Sequence, residues 1–221
     1  MYFVRTPYII KKLFPKIIWD LPNDNNTIYL TFDDGPHPAI TPWILEQLKN
    51  YNAKATFFCL GKNAEKYPEL VKLILQNGHR IGNHGYAHLN GWQTNNAEYI
   101  EDVLKSEQIL KKIINDNNYK LLFRPAYGRI KKSQITLLKS HFSSERKEFL
   151  LLNWSLMPGD FDQNSTSEKC YKNLVNNIKA GDIVVLHDNE KSWKHLQYCL
   201  PKWLDVIYNK GLKSEVLSLI A

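Results

Sequence analysis

Short apolar stretches alternate along this chain with longer stretches whose apolar residues recur every third or fourth position. The β-branched and aromatic runs at 27–32, 54–59, 79–83, 120–123, 149–153 and 182–187 read as strands, with a weaker one at 214–219. The stretches 41–50, 67–77, 95–115, 131–141, 167–179 and 195–209 carry helical spacing. Thr41-Pro42, Asn95 and Thr166 stand where helices would begin, and Gly78 and Gly181 where a left-handed residue would end them. Repeated strand–helix units predict a mostly parallel sheet, either barrel-like or doubly wound. No repeat, low-complexity tract or flexible linker divides the chain. The expected organisation is one α/β domain over 27–221, preceded by an N-terminal segment over 1–26. In either architecture, side chains that do chemistry collect just beyond the C-terminal ends of the strands.

Bulk composition narrows the function classes. With 221 residues, 43% hydrophobic and 23% charged, the chain suffices for one large core and not for two. A net charge of +7 favours polyanions, but it is spread thinly, with no basic run longer than two residues. RNA-recognition and zinc-finger spacings are absent, so nucleic acid is not an expected partner. Cys59, Cys170 and Cys199 are odd in number and far apart, which reads as reduced thiols in a cytoplasmic protein. Basic residues interrupt each apolar run near the start, so neither a signal peptide nor a transmembrane helix is expected. Arg5 to Trp19 mixes Ile, Leu, Phe and Trp with Arg and Lys, a composition suited to peripheral contact with a membrane face. The plainer expectation is a segment packed on the barrel, because Pro7 and Pro15 break any continuous amphipathic helix.

The suspicious residues fall where the strand-end rule wants them. Asp33 and Asp34 follow the first strand, and two adjacent carboxylates repel unless a cation or a proton separates their roles. One would ligate a metal while the other handles protons. After the third strand comes His84-Gly-Tyr-Ala-His88, two imidazoles able to converge on one cation. With a carboxylate they form the open three-ligand set of catalytic zinc, which lowers the pKa of a bound water. Arg124 follows the fourth strand, and a buried carboxylate such as Asp33 would partner it. His187 follows the sixth, either as a hydrogen-bonded core histidine or as a proton donor to a leaving group. Asp160 is either a turn residue after Pro158-Gly159 or the carboxylate that holds His187, and Asp188 reads as the turn residue that ends the strand.

In order and spacing, Thr31-Phe-Asp-Asp-Gly-Pro36, His84-x-x-x-His88, Arg124-Pro-Ala-Tyr-Gly128 and Leu186-His187-Asp188 resemble the polysaccharide deacetylases. These are the family 4 carbohydrate esterases with a nodulation-type deacetylase domain, and the likeness runs from Thr27 onward. The resemblance implies a distorted (β/α) barrel of about seven parallel strands. It implies Asp33 as general base, positioned by Arg124, and Asp34, His84 and His88 as ligands of one divalent ion, zinc with cobalt or nickel able to substitute. It further implies His187 as general acid supported by Asp160, the Tyr127 backbone N–H as oxyanion donor, and Leu186, Phe161 and Trp154 as the apolar wall around the acetyl methyl. The activity implied is metal-dependent removal of N-acetyl groups from an amino-sugar saccharide. The alternatives are an O-acetyl sugar esterase or a catalytically weak carbohydrate-binding relative. The missing export signal and basic N-terminal segment lead us to expect a cytoplasmic or lipid-linked saccharide. Three positions depart from the family pattern: Gly85 replaces a hydroxyl residue that braces its loop, Ala126 a proline and Phe161 an indole.

Overall fold

The computed structural model describes residues 2–22, 25–116, 119–144 and 148–218. Among these residues seven strands, β1 (Thr27–Asp33), β2 (Ala55–Cys59), β3 (Arg80–Asn83), β4 (Leu121–Phe123), β5 (Phe149–Leu151), β6 (Ile183–His187) and β7 (Lys213–Ser214), all pair in parallel. The order β5-β4-β3-β2-β1-β6 curls round until the segment after β5 reaches β6. Leu156 bridges Val184, and the Val185 N–H donates to the Leu156 carbonyl at 3.0 Å. Closure is therefore irregular, and the result is the distorted (β/α) barrel expected. β7 pairs β1 at its N-terminal end. The weak run 214–219 yields only this short strand, and residue 219 lies outside the described residues.

Around the barrel stand α1 (Tyr8–Leu13), α2 (Ile40–Asn50), α3 (Gly61–Lys66), α4 (Pro68–Gln76), α5 (Asn96–Ile114), α6 (Lys132–Ser144), α7 (Ser167–Asn177) and α8 (Trp193–Asn209). Asn95 and Thr166 cap α5 and α7, accepting from the N–H groups of Glu98 and Lys169. Thr41 is not a cap. It lies inside α2, and His37 Nδ1 instead accepts the first free N–H groups, those of Ala39 and Ile40, at 3.2 Å each. α1 and α3 have too few residues for periodicity to reveal; Pro7 and Pro15 bracket α1, and α3 is largely polar. No helix among the described residues is long and apolar enough to cross a membrane.

Alternation along the strands separates two environments. Ile28, Leu30 and Phe32 of β1 and Val184 and Leu186 of β6 face outward, into one cluster with Ile44, Leu48, Leu196 and Leu200 of the helices. Phe58, Leu122, Leu152 and Ile183 fill the barrel, and Leu217 closes its floor. Gly82 on β3 leaves room for the Phe58 ring, which a Cβ there would meet at 2.5 Å. Inward positions at the other ends of the strands are thereby left to polar residues.

Candidate metal and catalytic site

The inward alternation of β1 ends on Asp33, whose register partner on β6 is His187, so both project into the barrel mouth. Asp33 is buried against Arg124, whose Nη1 donates to Asp33 Oδ1 and to Thr31 Oγ1, each at 2.7 Å. Nη2 donates to the Asn153 carbonyl at 3.1 Å, and the guanidinium lies 4.1 Å above the Phe58 ring. A fully buried cation with one paired carboxylate and this fork of acceptors is fixed in orientation.

Asp34 turns the chain at φ 82, and both its ends are held by amides. Asn63 Nδ2 donates to its backbone carbonyl at 2.7 Å, and Asn189 Nδ2 to its Oδ2 at 2.6 Å. The Asn189 amide has one sensible orientation, because its Oδ1 accepts from the Ser192 N–H at 3.0 Å. Oδ1 of Asp34 is left facing the two imidazoles, 3.2 Å from His88 Nε2 and 3.6 Å from His84 Nε2. His84 Nδ1 must donate to the Arg124 carbonyl at 2.8 Å, since a carbonyl only accepts; its Nε2 therefore presents a lone pair. Burial pushes the His84 pKa down despite Asp33 and Asp34 beside it. Burial would raise Asp34, but the close approach of His88 and the charges of His187, His84 and His88 hold it well below the usual carboxylate range. One atom from each of Asp34, His84 and His88 lies within 4.8 Å of the others, and the buried Oδ1 of Asp34 has no full hydrogen-bond partner. These are the donors and the unsatisfied oxygen that a divalent cation requires, and they fit one.

Opposite stands His187. Its N–H donates to Asp160 Oδ2 at 2.7 Å and its Nδ1 faces Asp160 Oδ1 at 3.0 Å. Burial alone would lower the imidazole, but Asp160, through charge and hydrogen bond, with Asp34 and Asp33 behind it, pushes the pKa up to about 10. His187 therefore carries a proton at neutral pH.

Among the described residues six non-glycine residues have positive φ: Asn26, Asp34, Asn52, His88, Asn115 and Tyr127. Asparagine tolerates that conformation; the other three all sit at this site, a concentration of backbone strain typical of functional centres. Tyr127 stacks its edge on His88 with centroids 4.4 Å apart, and Phe161 on His187 at 5.5 Å. Trp154 lies over Gly128, 5.8 Å from the Arg124 guanidinium. Leu186 does not join them. As the residue before inward-facing His187 it points outward, buried with Phe32, and the inward neighbour is Val185, in register with Thr31. The expectation that Leu186 lines the site is corrected on that alternation.

Other residues came unannounced. The loop from His84 to His88, lacking a hydroxyl at Gly85, is braced by Asp102 of α5, whose carboxylate accepts from the Tyr86 and Ala87 N–H groups at 2.8 Å each. A Cβ at Gly85, where φ is 80, would meet that carboxylate at 2.7 Å, so this brace needs a glycine there. The Arg124 loop is tied by bonds from Gly128 to Pro125 and Arg129 to Ala126. Asp188 is more than a turn residue: buried under Gly35, it accepts from Thr41 Oγ1 at 2.6 Å, and burial pushes its carboxyl up to about 8.

Comparison with known proteins bears on the family of the chain. The family model described as polysaccharide deacetylase matches residues 20–142. A peptidoglycan-N-acetylglucosamine deacetylase of Bacillus cereus is 33% identical over 202 residues, 91% of each chain. A chitooligosaccharide deacetylase of Azorhizobium caulinodans is 32% identical over 165 residues, 75% of each. Among solved structures, a peptidoglycan N-acetylglucosamine deacetylase in complex with 4-naphthalen-1-yl-N-oxidanyl-benzamide superposes with a TM-score of 0.83 at 31% identity. That match covers 96% of this chain and 95% of the other.

Proposed function

The chain belongs to the polysaccharide deacetylase family, and on that premise we propose that it removes N-acetyl groups from an amino-sugar saccharide by metal-dependent hydrolysis. The observation that carries the reading is the pairing of two arrangements in one barrel mouth. A three-donor cluster of Asp34, His84 and His88 stands there with a carboxylate held by arginine and an imidazolium held by Asp160. The peptidoglycan and chitooligosaccharide activities of the named relatives support the saccharide class. The compound bound by the superposed relative ends in a hydroxamic acid, a chelator of metal ions, which supports the metal.

Asp34, His84 and His88 would hold one divalent ion, zinc by the chemistry of a two-imidazole, one-carboxylate set. When bound, such an ion polarises an acetyl carbonyl and brings the pKa of water towards neutrality. The protein's own residues do the rest. Asp33, fixed by Arg124 and Thr31, takes the proton of the attacking water. The Tyr127 N–H, offered from its left-handed turn, steadies the developing oxyanion, a role worth about 3 kcal/mol for one donor in other acyl hydrolases. His187 gives its proton to the departing sugar amine and is recharged by solvent. An amine is a poor leaving group unless protonated, and an imidazolium held near pKa 10 by Asp160 is charged when needed. Phe161, Trp154 and Val185 would enclose the acetyl methyl. The apolar and basic N-terminal segment suits contact with an anionic membrane surface, where a lipid-linked saccharide would be met.

The test is acetate release from a ladder of N-acetylglucosamine oligomers with added zinc, beside Asp34→Asn. Release by the native protein and a loss of at least about a hundredfold in the variant is expected. Equal release by both would overturn the metal-dependent reading.

A further inference from the structure

A groove of about 400 Å³ leads from the candidate site along the N-terminal segment. Phe3, Ile10, Phe14 and Trp19 form one wall, and Trp92 and Ile130 the other. Backbone bonds seat the first wall: Thr6 N–H donates to the Ser155 carbonyl and Met157 N–H to the Val4 carbonyl, each at 2.9 Å. Arg5 anchors it further, reaching both oxygens of buried Asp182 at 2.8 Å.

Three polar side chains on these walls are already engaged within the protein. The Thr6 hydroxyl donates to the Trp154 carbonyl, the Trp19 indole to that of Phe14 and the Trp92 indole to that of Ile130. A sugar ring laid here would lose its water partners and gain almost none in return. One polar atom stands apart: buried Asn153 Oδ1 has no partner, and it lies at the inner end, beside Arg124. The groove is therefore mostly apolar away from its junction with the site, with Arg129 at its rim. Its outer rim is otherwise apolar too. Among the described residues eight large apolar side chains are exposed, and all but Leu137 and Tyr208 lie on the N-terminal segment or this rim: Phe3, Tyr8, Ile9, Leu13, Trp92 and Tyr127. Exposed cations accompany them, Lys12 and Lys16 on the segment and Arg129 over the Trp92 ring at 5.1 Å.

We propose that this groove takes the apolar chain of a lipid-linked, N-acetylated saccharide while the sugar enters the barrel mouth, the basic rim complementing the anionic group that joins the two. Continuity with the site through Tyr127, Asn153 and Trp154 argues for one amphiphilic ligand, and the inference rests on the deacetylase reading of that site.

Two β-glycosides of di-N-acetylchitobiose, one methyl and one ω-bromononyl, distinguish the outcomes with zinc-loaded full-length protein. Each buried methylene is worth about a fourfold gain in affinity, so the bromononyl glycoside should bind at least about 30-fold more tightly than the methyl one. Its bromine should quench indole emission on contact with Trp19, Trp92 or Trp154. Phe3→Ser and Ile10→Asp should each cut the affinity ratio to less than about fivefold, the expected result of placing a polar group on the wall. Leu137→Asp, at an exposed position that does not line the groove, should preserve it. Equal affinities, absent quenching or a ratio that survives both wall variants would overturn the proposal. So would a dimer in sedimentation that Ile10→Asp dissociates, since a second copy would then cover the groove. Acetate release from the methyl glycoside judges the deacetylase reading separately. Its absence with quenching and ratio intact would retain the groove and remove that reading; its presence with a ratio of one would do the reverse.

Discussion

Arg124→Lys keeps the charge and discards the fork, so it separates what the guanidinium does from what a cation does. The native side chain is wholly buried, donates to Asp33, Thr31 and the Asn153 carbonyl, and stacks on Phe58. A lysine ammonium can reach Asp33 but not the divergent Asn153 carbonyl, and it leaves the Phe58 face uncovered. Losing one bond from a charged donor, at about 1.5 kcal/mol, and a desolvated cation–π contact of about 2 kcal/mol gives a destabilisation of about 3 to 4 kcal/mol. Asp33 would then be free to shift, and a displacement near 1 Å in a catalytic group costs about a hundredfold in kcat. Metal affinity should change less than about threefold, because His84 is oriented by the backbone carbonyl of Arg124, which the substitution leaves in place. Urea unfolding, turnover of the N-acetylglucosamine oligomers and chelator competition read the three quantities. A variant within threefold of native turnover would refute the claim that the fork positions Asp33. An equal collapse of metal affinity and turnover would show that the loop, not the side chain, had failed. Arg124→Met should be worse, about 3–5 kcal/mol, since it strands a buried carboxylate.

Two further expectations concern residues that touch the site without being metal ligands. Asn189→Ala should weaken metal binding by about 10- to 100-fold with little change in metal-free stability, measured by chelator competition and thermal unfolding; unchanged affinity would exclude a supporting role for the amide. Asp160→Asn removes the main charge that holds His187 near pKa 10, so the alkaline limb of the kcat profile should move down by more than about one pH unit. The same shift carries a stability term of definite sign: with its folded pKa above the unfolded value, His187 stabilises the native state fully below about pH 6.5, and this is lost as pH rises through about 10. Equal pH dependence of unfolding in native protein and Asp160→Asn would contradict it.

Much of this was legible in the chain, and unevenly so. Strands and long helices declared themselves because burial on one face forces a period, and the motifs were placed by the strand-end rule. The resemblance also misled: Leu186 was carried over with the Leu-His-Asp motif, yet adjacency to His187 in a strand means the opposite face. Short polar helices such as α3 leave no such mark. Nor did the supporting amides and carboxylates, Asn63, Asn189 and Asp102, because each serves a partner 15 to 155 positions away and nothing local distinguishes it from a surface residue. The strained turns at Asp34, His88 and Tyr127 were hidden for the same reason, being imposed by packing against local preference.

The floor of the barrel bears on how the chain reaches this state. Leu217 sits beneath Phe58 and Leu122, its N–H donates to Thr56 Oγ1 across 161 positions, and Ser214 receives the Lys54 N–H from the opposite end of the sequence. On the other side Leu21 bonds to Gly181. While the chain is being synthesised, β1 to β6 can thus associate only as an open trough with apolar residues showing beneath it, until 213–217 arrives. Contacts of such long separation make folding slow and leave a sticky intermediate exposed. A product shortened before residue 213 would retain every residue proposed to hold a metal or move a proton and yet be expected to aggregate: the proposed chemistry is complete by His187, and the permission to perform it comes after.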